Sequence, residues 1–381
     1  MWLPVFVLGC QEPERVPEPP PAAPDSSQSA PVADTRLRLL GDVAEVDAFA
    51  ILDGENQAVA TVRRARDLVP ARRSLHTVTD GLLDLRFEEP FAPLRGTPAG
   101  DVVLAAADLE GDAADELVIA RITRVGPART ATLEVYARPA EPSDRGADHV
   151  LRMPVDDRTD TLAFAGPFDF AGPALLVAPL AVGQRTTAWY RIRKGGESGP
   201  LVDDTPLLVG GGRTHAVAHG DVDGDGRIDL VLANGAGTVS IHRGAALGFD
   251  VSPLRVVEGG GDRPGFGRAV ALAGPRLLVA FGFPPDGPWQ GAWDDGGQIS
   301  LCPGEGPVAL ASDGDRIIVA CGTATGVVLS TVGPTDLTTL HELDAPRAAG
   351  IDLAARGRWL GVLVRPPAGA PGHLWVFELP R

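Results

Sequence analysis

The stretch from Ala216 to Ala233 constrains this chain more than any other. Two short apolar runs, Ala216-Val217-Ala218 and Leu230-Val231-Leu232, flank the loop Asp221-Val222-Asp223-Gly224-Asp225-Gly226-Arg227-Ile228-Asp229. Carboxylates stand at loop positions 1, 3, 5 and 9, counted from Asp221. Gly224 and Gly226 let the backbone turn sharply between them. The runs on either side are of the short β type, so the order is strand, carboxylate loop, strand. Carboxylates this dense repel one another unless a cation sits among them.

Calcium suits such a set, because it is a hard cation that takes six to eight oxygens from side chains, carbonyls and water. The carbonyl of Arg227, at position 7, adds one oxygen to those of Asp221, Asp223, Asp225 and Asp229. An EF-hand opens in the same way but needs a bidentate Glu at position 12, where this chain has Leu232. A dockerin-type loop also asks for an acid there. The alternative is a solvated acidic hairpin turn. With its flanking strands the loop resembles the FG-GAP/VCBS repeat of integrin-α-like β-propellers. That resemblance implies a calcium-holding loop between the first two strands of a blade.

The same pattern recurs upstream. In Ala107-Asp108-Leu109-Glu110-Gly111-Asp112-Ala113-Ala114-Asp115-Glu116-Leu117-Val118, the acids Asp108, Glu110, Asp112 and Glu116 take positions 1, 3, 5 and 9, and Ala114 offers the carbonyl. Two Glu replace Asp, and Ala113 replaces the second Gly, which makes a longer-armed and stiffer loop. The apolar strand recurs without acids at 58–62, 175–178, 277–280, 317–320 and 360–363. With the acidic copies this gives about seven repeats, spaced about 40–60 residues as propeller blades are. Phe266-Gly267, followed by a Gly-Pro hairpin, is close to the FG-GAP signature. Further strands are expected at 133–136, 187–190, 239–242, 298–301, 326–329 and 373–377. Small residues crowd the expected inner strands, as in Ala105-Ala106-Ala107 and Ala269-Val270-Ala271.

One small sheet cannot bury both faces, and radial stacking solves that. The expected fold is therefore all-β, a β-propeller of about seven four-stranded blades over residues 36–381, with a disordered N-terminal tether. The 47 Gly and 35 Pro among 381 residues argue against a mainly helical protein. A two-domain chain hinged at Arg138–Asp160 is the competing architecture; that polar stretch is taken here as a long inter-blade loop.

The start of the chain reads Met1-Trp2-Leu3-Pro4-Val5-Phe6-Val7-Leu8-Gly9-Cys10. Val7-Leu8-Gly9-Cys10 resembles a bacterial lipobox, although no Lys or Arg precedes the short apolar run. The resemblance implies a signal over residues 1–10 and lipidation at Cys10. Residues 11–35, rich in Pro and Ser, form the flexible linker. Gln11 after the Cys suggests the outer membrane, so the expectation is a cell-envelope lipoprotein, periplasmic or surface-exposed. Cys302 and Cys321 remain as an even pair and form a disulfide candidate in an oxidising compartment.

The net charge of -16 disfavours nucleic acid and anionic headgroups as partners. Membrane contact is then expected only through the lipid anchor. Trp289 and Trp293, in the Gly- and Pro-rich stretch 282–296, are the partner-binding candidates, as rigid apolar anchors. The alternative is that both rings cap their own blade. His215 and His219 share one face of a strand and suggest, more weakly, a transition-metal site. Asp53-Gly54-Glu55 and Asp313-Gly314-Asp315 lack the full acid set and fit plain hairpin turns. No nucleophile elbow, Walker loop or zinc-protease motif occurs. The expected function is a calcium-stabilised, non-catalytic binding or adhesion module for a protein or cell-surface glycan. The alternatives are a structural envelope component and a hydrolase at the propeller mouth.

Overall fold

Short aliphatic runs punctuated by Gly- and Pro-containing turns fold here as antiparallel strands throughout. The computed structural model describes residues 37–380, apart from residues 54–56, 65–70, 91–96, 143–145, 182, 196–198, 235–236, 283–287, 305 and 368–369. The Cys10 lipobox and the 11–35 linker lie outside the described residues. Among the described residues no helix is long and apolar enough to cross a membrane.

The strands form seven blades of four antiparallel strands. The innermost strands are Ala48–Leu52, Val103–Ala107, Thr159–Asp169, Thr214–Gly220, Ala269–Ala273, Val308–Asp313 and Gly350–Arg356, and they number blades 1 to 7 in that order. Each inner strand touches the next, and that of blade 7 touches that of blade 1, so the ring is closed. The N-terminal strand Arg38–Val46 does the closing. It pairs with Gly372–Glu378 and supplies the outermost strand of blade 7. Both ends of the folded chain therefore meet in one sheet.

The hydrophobic core is divided accordingly. A buried cluster lies between every neighbouring pair of blades, including blades 7 and 1. The second strand of each blade is apolar on both faces because blades cover it on both sides; Leu117–Ala120 and Leu230–Ala233 are buried residue after residue. The recurring apolar runs at 58–62, 175–178, 277–280, 317–320 and 360–363 are these second strands.

Two expectations need correction. Residues 138–160 are not all loop: His149–Val155 is the fourth strand of blade 2. In blade 5 the expected third strand is the fourth, Gln298–Cys302, and the third is Trp289–Trp293.

Cys302 ends the fourth strand of blade 5, and Cys321 lies in the second strand of blade 6 (Arg316–Gly322). Their disulfide, with Cα atoms 5.6 Å apart, joins the two blades. It closes a sequence separation of 19 residues, for which the chain-entropy argument gives about 3 kcal/mol. Replacing both cysteines by alanine should lower the unfolding free energy extrapolated to zero urea by about that amount.

Candidate functional site

The loop of blade 4 joins its inner strand to Asp229–Asn234 and is built on its own carboxylates. Asp221 Oδ1 accepts the N–H groups of Gly224 at 2.7 Å and Asp225 at 3.2 Å, and its Oδ2 accepts that of Gly226 at 2.8 Å. Asp223 Oδ1 accepts from Asp225 N–H at 3.2 Å, and Asp225 Oδ1 from Arg227 N–H at 2.9 Å. The turn needs left-handed backbone at Gly224 (φ 79°) and Gly226 (φ 82°), which glycine supplies at no steric cost. One carboxylate oxygen each from Asp221, Asp223 and Asp225 lie within 4.8 Å of one another. Arg243 pairs with Asp223 and meets part of this charge. Three hard oxygen donors gathered at a fixed turn suit a hard cation.

Asp229 plays a different part from that expected of a ligand. It is fully buried, and its two oxygens accept the N–H groups of Val222 at 2.9 Å and Gly244 at 2.8 Å. Burial raises its pKa against those two hydrogen bonds, and the charges of Asp223 and Asp225 raise it further. Asp229 thus anchors the loop to the blade from below.

The loop of blade 2 is a close copy in its hydrogen bonds. Asp108 accepts from Gly111 at 2.5 Å, Asp112 at 3.2 Å and Ala113 at 2.9 Å, and Asp112 accepts from Ala114 at 3.0 Å. Glu116, like Asp229, turns inward and accepts the N–H of Leu109. Its acids are less closely gathered: among the described residues the Asp221 set is the one group close enough to share an ion. Ala113 holds φ 67°, a strained conformation for a residue with a Cβ. The longer Glu arms and this strain fit an ion less well than the blade 4 loop does.

Burial pushes the Glu116 carboxyl up to about 7, with Glu110, Asp108 and Asp112 adding to the rise and the Leu109 hydrogen bond opposing it. The fold therefore holds this proton more tightly than the unfolded chain does. Stability from this group is full below pH about 4.5 and is lost as pH rises through about 7. The loss is at most about 3 kcal/mol and roughly half that after solvent screening. In chelator, Glu116→Gln should flatten the fall in melting temperature between pH 5 and pH 8 relative to the parent.

Beside Glu116, Asp115 ties three blades together. It is 6% exposed. It accepts the N–H of Asp53 from blade 1 at 2.5 Å, and Arg356 of blade 7 donates to it at 2.5 Å. Arg356 also donates to the Ala106 carbonyl at 2.6 Å. Sequence reasoning missed this junction, because its partners are remote in the chain and no local spacing marks them.

Trp289 and Trp293 are not exposed anchors. They are 3% and 4% exposed and pack in the cluster between blades 5 and 6. Trp289 Nε1 donates to the Gly306 carbonyl at 2.8 Å, and the Arg276 guanidinium stacks 4.1 Å from the Trp293 ring centroid. The rings sit in a strand whose neighbours cover them, so both cap the blade. Asp313 pairs with Arg316 across a plain hairpin, while Gly54 and Glu55 lie outside the described residues.

The spacing predicts His215 and His219 on one face, but the strand register shifts between Thr214 and Ala216, so the alternation is broken at His215. The two line different hollows of the channel. Four residues along a strand separate them by about 13 Å, too far for one ion. His219 lines a hollow of about 570 Å³ at the carboxylate-loop end, beside Asp221 and Ser312. The channel walls desolvate it and hold its pKa at about 4, with Arg356 also lowering it. His215 lines a second hollow, of about 640 Å³, at the opposite mouth, with Asp47, Asp101, Asp352, Arg64 and Arg365. There Arg64 pairs with Asp101 at 2.7 Å, and Arg365 pairs with Asp352. Burial raises the pKa of Asp352, and Arg365 opposes the rise.

No protein-family model matches the chain, and no curated relative matches it. Among solved structures, the chain is similar to the polysaccharide lyase Uly1, with a TM-score of 0.51 at 9% identity over 93% of this chain and 94% of that one. It is also similar to a chain of the COPII outer coat vertex on membranes, with a TM-score of 0.53 at 10% identity over 89% of this chain and 85% of that one. At these identities the likeness shows the fold alone: the chain is a seven-bladed β-propeller.

Proposed function

We propose that this protein is a calcium-stabilised, non-catalytic binding module of the cell envelope, directed to a protein or cell-surface glycan. The observation that carries the metal assignment is the convergence of Asp221, Asp223 and Asp225 on one point. The three carboxylates would hold the ion with the Arg227 carbonyl. The ion would relieve their repulsion and lock the first hairpin of blade 4. Asp229 would act beneath the ion by fixing Val222 and Gly244, and Arg243 would share Asp223 with it. Binding then falls to the channel mouth and the loops around it, since Trp289 and Trp293 are internal.

Extracellular modules bind calcium at roughly 0.1–1 mM. At ten times its dissociation constant one ion stabilises the fold by about 1.4 kcal/mol. A thermal melt in millimolar calcium should therefore end a few degrees above one in chelator. Asp221→Asn should remove that difference. Equal melting with and without calcium for the parent protein would exclude a metal in this loop at millimolar concentration.

A further inference from the structure

The exposed apolar side chains of this propeller are not scattered. Of the eleven large ones that stand exposed among the described residues, five lie in blade 4, between Ile228 and Val256, and none of the eleven is aromatic. Four of the five gather at the carboxylate-loop end. Antiparallel strands alternate in direction. The connection from the third strand of blade 4, Thr238–His242, to the fourth, Arg255–Glu258, therefore returns to the end where the Asp221 loop sits. In that connection Gly244–Ala245 pairs with Gly248–Phe249 as a small hairpin. Its base is fixed: Gly244 N–H donates to Asp229 at 2.8 Å, Arg243 pairs with Asp223, and the Phe249 ring meets those of Phe168 and Phe170 edge-on at 5.1 Å. Leu247 at the hairpin turn is 72% exposed, and Val251, just after the hairpin, is 81% exposed. Leu254, held through its N–H on the Ile241 carbonyl at 2.8 Å, and Ile228, in the carboxylate loop itself, complete the corner. Apolar groups gathered in water on a fixed base mark an interaction surface.

We propose that this corner of blade 4 docks on an anionic phospholipid surface, with Leu247, Val251, Leu254 and Ile228 entering the interface and the calcium of the Asp221 loop bridging to lipid phosphates. The proposal rests on the calcium assignment above and names a partner for that same site. Asp221, Asp223, Asp225 and the Arg227 carbonyl offer calcium fewer oxygens than the six to eight it takes, which leaves positions for phosphate oxygens. Calcium also reverses the local electrostatics. Without it, a chain of net charge -16 is repelled by an anionic surface. With it, two positive charges join the exposed Arg227 at this corner. The apolar residues are aliphatic and stand on separate turns, whereas a protein interface is built around a packed centre with Trp, Tyr or Arg anchors. Buried apolar area together with attraction to anionic headgroups is what drives binding at a bilayer surface. The hollow lined by Asp47, Asp101 and Asp352, at the opposite mouth, would then face away from the surface.

The test is sedimentation of the full-length protein with vesicles of phosphatidylglycerol and phosphatidylcholine in equal parts, in millimolar calcium and in chelator. Only the calcium-dependent part is read, so an acyl chain on Cys10 does not enter. Calcium should raise the vesicle affinity at least tenfold, and vesicles of phosphatidylcholine alone should show no such rise. Leu247→Ser combined with Val251→Ser should weaken the calcium-dependent binding tenfold or more, while a calcium titration without vesicles matches the parent. Val125→Ser should sediment as the parent does: this valine is exposed too, but it ends the second strand of blade 2 and so lies at the opposite end of the ring. If the parent takes up calcium but sediments alike in calcium and chelator, or if the double variant sediments as the parent does, the docking surface is wrong while the calcium module stands. If soluble glycerol phosphate binds the calcium-loaded protein as tightly as the vesicles do, the site takes a free phosphate and the surface is again wrong. A vesicle-free parent that dimerises in calcium, beside a monomeric double variant, would give the patch to a second copy instead. If the parent takes up no calcium, the metal assignment and the docking fall together.

Discussion

A chain that starts at Ala48 should not unfold cooperatively, because it lacks the strand that closes the ring. Arg38–Val46 is hydrogen-bonded along Gly372–Glu378 and covers the outer edge of blade 7. Leu40 and Val46 are each 2% exposed in the cluster between blades 7 and 1. Removing two such side chains costs about 2–3 kcal/mol each in burial alone, and the strand's hydrogen bonds are lost with them. A loss of about 5 kcal/mol is the whole stability of many domains. The truncation would also expose a long sheet edge, which invites aggregation. Urea unfolding followed by tryptophan fluorescence measures this. A synthetic peptide covering residues 37–47, added to the truncated chain, should restore a cooperative transition. A truncated chain with the parent's midpoint would show that the closure contributes nothing.

The second large effect is expected at the junction of blades 7, 1 and 2. Arg356→Ala should cost about 3–5 kcal/mol, the range for breaking a buried ion pair by removing one partner. Asp115, 6% exposed with the arginine in place, would keep only the Asp53 N–H among the contacts described above. Burial already raises the Asp115 pKa, and Arg356 is among the groups that lower it. Without the arginine the carboxyl should protonate at higher pH, so the Arg356→Ala variant should recover part of its loss on acidification. Combining Arg356→Met with Asp115→Leu should recover most of it at every pH, since apolar replacement of a buried pair is often neutral or stabilising. Chemical denaturation of the single and double variants at pH 5 and pH 8 tests both statements. A single variant within 1 kcal/mol of the parent would refute the junction as a structural staple.

The contrast between these features and the carboxylate loops explains what was legible in the sequence. Second strands were readable because blades cover them on both faces, so their residues are apolar without interruption. Outer strands were not. Leu82–Pro90 is exposed or half-buried throughout: Leu83, Leu85 and Phe87 alternate with Asp84, Arg86 and Glu88, but none of them is buried, so the strand lacks the continuous apolar run of the second strands. His149–Val155 hid in a polar stretch for the same reason. The closing strand could not be found locally, since its partners are about a whole chain away: Asp42 meets His373 across a separation of 331 residues.

The site divides in the same way. Asp221 to Asp229 act within one turn, so spacing alone predicted their convergence, apart from the inward orientation of Asp229. The Asp115–Arg356 pair spans 241 residues and left no local trace. The Gly and Pro around Trp289 and Trp293 carry the signal of a presented loop, although the two residues bound a strand. The two rings in fact belong to a strand, and the disulfide and blade 6 pack over them. For His215 and His219 the alternation along the strand is broken by the register shift between Thr214 and Ala216, and the two line different hollows of the channel.

The most direct measurement is a calorimetric calcium titration of chelator-stripped protein, parent and Asp225→Asn side by side. One ion should bind the parent with a dissociation constant of roughly 0.1–1 mM, and the variant should lose at least tenfold in affinity. The loop of blade 2, with its acids less closely gathered, should add no second ion in that range. A parent protein that takes up no calcium at millimolar concentration would contradict the account. The Asp221 loop would then be a turn held by its own hydrogen bonds and by Arg243.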